Sequence, residues 1–184
     1  PGRMPPGLRA GRADDLPRIA DLLNDVGRGR QCAPVWSAKR LAMLSESGLR
    51  PEDFLLAERG GDLTGCAALW DQSGRRQAVV RGYAPALGRL RGLANALSPL
   101  TGMPRLPAVG DRIPQAAISH LATREEGFEG KPKGGLVALL LAGLRIRAAA
   151  RGVTTLFLGL PSGDPALATI RKRMRTVELV TRLY

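Results

Sequence analysis

Residues 124–144 read REEGFEGKPKGGLVALLLAGL, a run of glycines and lysines ahead of a long apolar stretch. The chemistry such a loop suits is anion binding. Glycines let successive backbone N–H groups point at one spot, and the following helix adds the positive end of its dipole. Glycine and lysine are also ordinary loop residues, so the surrounding elements have to decide. Just upstream stands His120, the single histidine, whose ordinary pKa near neutrality makes it a candidate general base. Glu125 and Glu126 are the alternatives, set against a plain role as solvated loop carboxylates. The two cysteines, Cys32 and Cys66, exclude a disulfide scaffold in practice, and no CxxC or His-rich pattern suggests a metal site. A Cys32–His120 nucleophile pair stays open beside the commoner fate of a lone cysteine, burial as a small hydrophobe.

Composition narrows the classes. The chain of 184 residues fits one domain with a sizeable core. Hydrophobic residues make up 44%, yet no run reaches the roughly 18 apolar residues of a membrane span. The most apolar segment, LVALLLAGLRI, is broken by arginines, and PGRMPPGLRAGR has no apolar core for a signal peptide, so a cytoplasmic protein is the expectation. A net charge of +12 and a pI near 11.2 suit polyanions or a phosphate-rich small molecule. The arginines are spread along the chain, however, and 4% aromatics are too few for a platform that stacks single-stranded nucleic acid. A basic nucleic-acid-binding domain is therefore the weakest of the function classes kept.

The elements that would position these residues follow from periodicity. After a loose start over residues 1–7, GLRAG reads as a short strand. Asp14 is the expected N-cap of a helix with Pro17 in its first turn and Leu16, Ile19, Ala20, Leu23 and Val26 on one face. GRGRQC beyond it fails the dinucleotide pattern, because Cys32 stands where the last glycine belongs. Ser37 caps a short second helix. DFLLAER and LTGCAALW, joined by Gly60, Gly61 and Asp62, form a hairpin apolar on both faces, which predicts helices on both sides. In its second strand Leu63, Gly65, Ala67 and Leu69 alternate against Thr64, Cys66, Ala68 and Trp70. Residues 71–115 are looser. They contain APALGRLRGLANALSP, an amphipathic helix read as packed on the sheet, with a cap over a substrate site or a basic face on a membrane as the sharper alternatives. QAAISHLAT is a strand, alternation setting Ser119 and Leu121 on one face and His120 and Ala122 on the other. A helix follows with Val137, Leu141, Leu144 and Ala148 in one stripe, then VTTLFLGL as a buried parallel strand. DPALATIRKRM is a last helix capped by Asp164, and TVELVTRLY a last strand.

This order, with ISHLAT, the basic glycine loop and the helix ending in AAARG, resembles the Gcn5-related N-acetyltransferase (GNAT) superfamily over residues 8–184. The resemblance implies an α/β (α+β) domain with a mixed, mostly antiparallel sheet and helices on both faces. It implies acetyl-CoA as cosubstrate, no metal, and a small-molecule or protein amine as acceptor. The family's pyrophosphate loop, Gln/Arg-x-x-Gly-x-Gly/Ala, falls on Lys131-Pro132-Lys133-Gly134-Gly135-Leu136. Lys131 stands for the usual Arg or Gln, Gly134 fits, and Leu136 replaces the last small residue. A Walker loop matches worse, since it needs glycine at Glu125 and a hydroxyl at Pro132. By the same resemblance the unpaired edge of the fourth strand, Leu121, Ala122 and Thr123, binds the cofactor and the acyl oxygen. The family's tyrosine, which protonates the leaving thiolate, is replaced by Arg171, a candidate contact for a CoA phosphate. Tyr184 and Ser162 are the candidates to substitute. That departure keeps a second expectation beside the enzyme, a CoA-binding or regulatory module that has lost catalysis. A partner, as in a homodimer, would complete the sheet beyond TVELVTRLY.

Overall fold

In the computed structural model, which describes residues 3–30, 32–101, 105–124, 134–174 and 176–181, five strands form one sheet whose spatial order is the chain order. They are β1 (Leu8–Ala10), β2 (Phe54–Arg59), β3 (Asp62–Trp70), β4 (Gln115–Thr123) and β5 (Thr155–Leu158). Each neighbouring pair is antiparallel except β4–β5, which is parallel and joined by a helical crossover. Helices α1 (Leu16–Gly27) and α2 (Ala38–Met43) cover one face; α4 (Gly135–Ala150) and α5 (Ala166–Arg173) cover the other. Helix α3 (Pro85–Thr101) lies in the connection between β3 and β4. The mixed, mostly antiparallel sheet between two helical layers is the expected class.

The hairpin turns through Gly60 and Gly61, both at positive φ, as a tight two-residue connection requires. Its strands send Leu55, Ala57, Ala67 and Leu69 toward α4, and Phe54, Leu56, Cys66 and Ala68 toward α1 and α2. Leu63 departs from simple alternation. The ladder skips a residue between the Ala57–Gly65 and Glu58–Leu63 pairs, so Leu63 joins the α1 side. Helix α4 lies tight on the other face, burying Leu136, Val137, Leu140, Leu141, Leu144 and Ala148. A Cβ on its Gly143 would sit 2.5 Å from a Leu55 methyl, which is why that helical position has no side chain. Met4, within the start expected to be loose, packs into the same core.

Four local expectations are corrected. Asp14 does not cap α1: the chain enters through a 3₁₀ turn, Ala13–Asp15. There Asp15 receives the Arg12 N–H at 2.9 Å and the fork of Arg9 at 2.7 Å on each oxygen. Helix α3 is not packed on the sheet, for it has no buried residue. Strand β5 is only partly covered, with Phe157 half exposed. Residues 176–181 form no strand, and Val177, Leu179 and Val180 are exposed. The alternation of TVELV fits a strand, but among the described residues no ladder partner receives it.

Candidate functional site

The site begins where β4 loses a neighbour. Its first half, Gln115 to Ile118, pairs with Thr155 to Leu158 of β5. Among the described residues, its second half is paired only with β3. A bulge interrupts that second ladder: Ala68 faces Ser119 and Cys66 faces Ala122, so His120 and Leu121 together oppose Ala67. His120 takes up the extra residue with φ +52°, a left-handed conformation unusual for a side chain with a Cβ. The bulge resets the alternation. Ser119 and His120 now share a side, the serine Oγ lying 2.9 Å from His120 Nδ1, while Leu121 turns to the α4 side. Beyond the bulge Arg124 donates its N–H to Thr64 O at 2.8 Å, so ladder alternation leaves the Thr123 amide on the open edge.

Between that edge, the start of α4 and the start of α5 lies a cleft of about 720 Å³. Leu121, Thr123 and Arg124 form one wall, Val137, Pro165 and Ala166 the other, and Gly29 and Arg30 after α1 close one side. Helix α4 opens onto it with its positive end. Gly134 occupies the N-cap position at φ +81° and, as a glycine, offers the first turn no capping side chain of its own. Any side chain at 134 is excluded twice over, by the left-handed backbone and by Thr169, whose Oγ1 would lie 1.8 Å from an added Cβ.

Charges span the cleft in pairs. Asp25 at the end of α1 bonds Arg28 and Arg124, and these hydrogen bonds hold its carboxyl below the usual carboxylate range. Asp164 accepts the Ala166 N–H at 2.9 Å, fastening the start of α5 as expected, and its other oxygen pairs with Arg30 at 2.8 Å. Arg124 and Arg30 are thus cationic groups beside a cleft with a helix N-terminus. Sequence reasoning overlooked both. The available signal for Arg124 was its place directly after the strand.

No protein-family model and no curated protein matches the sequence. The backbone has clear counterparts. A ribosomal-protein-alanine N-acetyltransferase from Brucella melitensis biovar Abortus 2308 matches with TM-score 0.58 at 15% identity, over 96% of each chain. An acetyltransferase from Trypanosoma brucei matches with TM-score 0.54 at 17% identity, over 96% of this chain and 97% of its own. The fold is that of the Gcn5-related N-acetyltransferases. It also occurs in a transcriptional regulator from Bacillus halodurans C-125, with TM-score 0.56 at 15% identity over 96% of this chain and 97% of that one.

On this GNAT-like frame the expected site residues separate. Leu121 and Thr123 line the cleft, and Gly134, Gly135 and Leu136 begin the helix that opens onto it. Leu136 itself is buried in the core, and Ala122 is buried on the α1 side. Glu125, Lys131, Lys133 and Tyr184 lie outside the described residues. Arg171 is exposed and forks onto Glu178 at 2.7 and 2.8 Å, an interaction that raises its pKa. Ser162 stands in an exposed turn. His120 is enclosed by Trp36, Phe54 and Trp70, with ring centroids 4.7, 5.4 and 6.4 Å away. Burial pushes its pKa down to about 4, and its Nε2 has no hydrogen-bond partner among the described residues. Cys66, not Cys32, is the cysteine in contact with it. The Cys66 thiol donates to the His120 carbonyl at 3.3 Å, and burial pushes that thiol up to about 12. Cys32 is exposed.

Proposed function

We propose that this chain is an N-acyltransferase that uses acetyl-CoA and an amine acceptor. The observation that carries the reading is the cleft itself: a strand edge where the Thr123 amide points away from β3, beside the N-terminus of α4 with glycine at its N-cap. A pyrophosphate suits the α4 end, where backbone N–H groups and the helix dipole favour negative charge. Arg124 and Arg30 add side-chain donors once their carboxylates release them. Lys131 and Lys133 are proposed as further phosphate contacts. The smaller hollow of about 460 Å³, between Gln115–Ala117 and Gln72–Ala78, fits less well. It lies at the half of β4 whose edge is already taken up by β5.

Acetyl-CoA would supply the activated acyl group, and the acceptor amine would attack it directly. The Thr123 amide is the proposed donor to the negative charge developing on the acyl oxygen; removing one such donor costs about 3–4 kcal/mol in other enzymes. His120 is not assigned as the base. An imidazole whose pKa is about 4 seldom holds a proton at pH 7 and has little drive to take one. Arg171 holds its protons too tightly to replace the tyrosine as a proton donor. The acceptor then has to arrive neutral or lose its proton to water, so the rate should climb with pH toward the pKa of the acceptor amine itself, about 8 for an α-amine and about 10 for a lysine-like one.

Thermal unfolding with acetyl-CoA, free CoA and ATP tests the cofactor. Acetyl-CoA and CoA at about 100 times Kd should each stabilise by roughly 2.7 kcal/mol, a shift of a few degrees. Lys131→Ala with Lys133→Ala should reduce the shift, and no shift at millimolar ligand would remove the reading. A second reading is a CoA-binding regulatory module without catalysis. The neutral, enclosed His120 and the engaged Arg171 favour it, and the fold's occurrence in a transcriptional regulator supports it. It predicts the same thermal shift with no release of free thiol in the presence of any amine.

A further inference from the structure

Between Asp71 and Asp111 the chain carries six arginines, at 75, 76, 81, 89, 91 and 105, and not one lysine or carboxylate. Helix α3 lies in the middle of this segment. At about 100° per residue, Leu87, Leu90, Leu93, Leu97 and Leu100 fall within an arc of roughly 140°. All five are exposed, from 43% at Leu87 to 85% at Leu100. The helix is held to the chain on another side by polar ties. Asn95 exchanges hydrogen bonds with the Leu106 backbone at 2.7 and 3.0 Å, and Arg91 donates to Leu106 O at 3.3 Å. Tyr83 Oη donates to Pro107 O at 2.7 Å just before the helix. These ties leave the leucine arc facing outward, with Arg89 and Arg91 on its two flanks.

From this arrangement we propose that α3 is a membrane-surface helix that lies flat on an anionic bilayer. The leucine arc enters the acyl boundary, and Arg89 and Arg91 on its flanks, with Arg81 just before the helix, meet lipid phosphates. The chemistry selects among occupants. A nucleic acid would satisfy the arginines and leave five leucines in water. A second copy would set one all-cationic surface against another. An acidic protein groove would match the charge, but such grooves are usually anchored by aromatic side chains. The arc offers only leucine, which a fluid apolar phase accepts without shape matching. This inference is independent of the cleft and of any acyl transfer there.

The test is co-sedimentation of the full chain with vesicles of phosphatidylcholine alone and of phosphatidylcholine mixed with phosphatidylglycerol. Binding should be at least about tenfold stronger on the anionic vesicles and should weaken with salt. Arg81→Gln, Arg89→Gln and Arg91→Gln together should weaken it by about a hundredfold, at about fivefold per arginine. A charge-matched set elsewhere, Arg12→Gln, Lys39→Gln and Arg145→Gln, should cost only a few-fold. Leu90→Asn with Leu93→Asn changes no charge and should cost more than about tenfold, with circular dichroism unchanged because neither leucine is buried. Equal losses from the two arginine sets, or no loss from the leucine pair, would reduce the effect to diffuse adsorption and overturn the proposal. Failure to bind anionic vesicles would do the same, and would give the face to an acidic protein partner.

Discussion

Helices α3 and α4 are nearly the same length, 17 and 16 residues, and each contains five leucines, yet α4 buries seven residues and α3 none. The difference lies in what each helix has opposite it. Helix α4 crosses a sheet whose facing positions are Leu55, Ala67 and Leu69, with no side chain at Gly143 to hold it off. Helix α3 meets a proline-rich connector and is fixed there through backbone groups of Leu106 and the Asn95 amide. Leucine content decides that a helix has an apolar face. The partner decides whether that face becomes core or surface.

The strongest way to break this comparison is truncation of matching residues. Leu140→Ala in α4 should cost about 2–5 kcal/mol in urea unfolding, while Leu93→Ala in α3 should stay within about 0.5 kcal/mol. Similar losses at both sites would mean that α3 is packed after all. A smaller effect sharpens the contrast on the α1 side. His120 takes its proton near 6.5 in the unfolded chain but only near 4 in the folded one. Burial therefore favours the neutral form, and stability is complete above about pH 6.5 and declines as pH falls toward 4, by about 3 kcal/mol over the window. His120→Asn should be less stable at pH 7 yet lose the slope between pH 6.5 and 5, above the range where the depressed carboxylates such as Glu58 titrate, an outcome read from melts at stepped pH. A further loss, about 1–3 kcal/mol, belongs to Gly134→Ala at the head of α4. Adding Thr169→Ala should recover part of it, because Thr169 supplies the atoms that an added Cβ would strike.

Much of the frame was legible because it rests on short-range patterns. Gly60-Gly61 between two apolar runs marked the hairpin, and the Val137–Leu141–Leu144–Ala148 stripe marked α4. Ser37 caps α2 as its type suggests, accepting the Arg40 N–H at 3.2 Å. The misreadings came from features with no local signal. Nothing in SHLAT announces that His120 adopts positive φ, since bulges are ordinarily marked by glycine there; yet that one residue decides which side chains reach the cleft. Asp15 outcompetes Asp14 because Arg9 arrives from β1, a contact between elements. The leucines of α3 carry the same helical spacing whether or not a sheet lies beneath them. The cleft residues Arg30 and Arg124 were illegible for a related reason. Their carboxylates, Asp164 and Asp25, lie far away in sequence.

The sheet's order has a kinetic consequence. Because β1 to β5 stand side by side in the order in which they occur, every ladder joins strands that are consecutive among the five. The β2–β3 hairpin can form alone as a local event, β4 can extend it, and the α4 crossover can deliver β5 last. Loop-closure entropy is then met in instalments rather than in one long-range search. A ribosome releasing this chain from its N-terminal end presents each strand after the one it must join, so the sheet can grow during synthesis with one unfinished edge at a time.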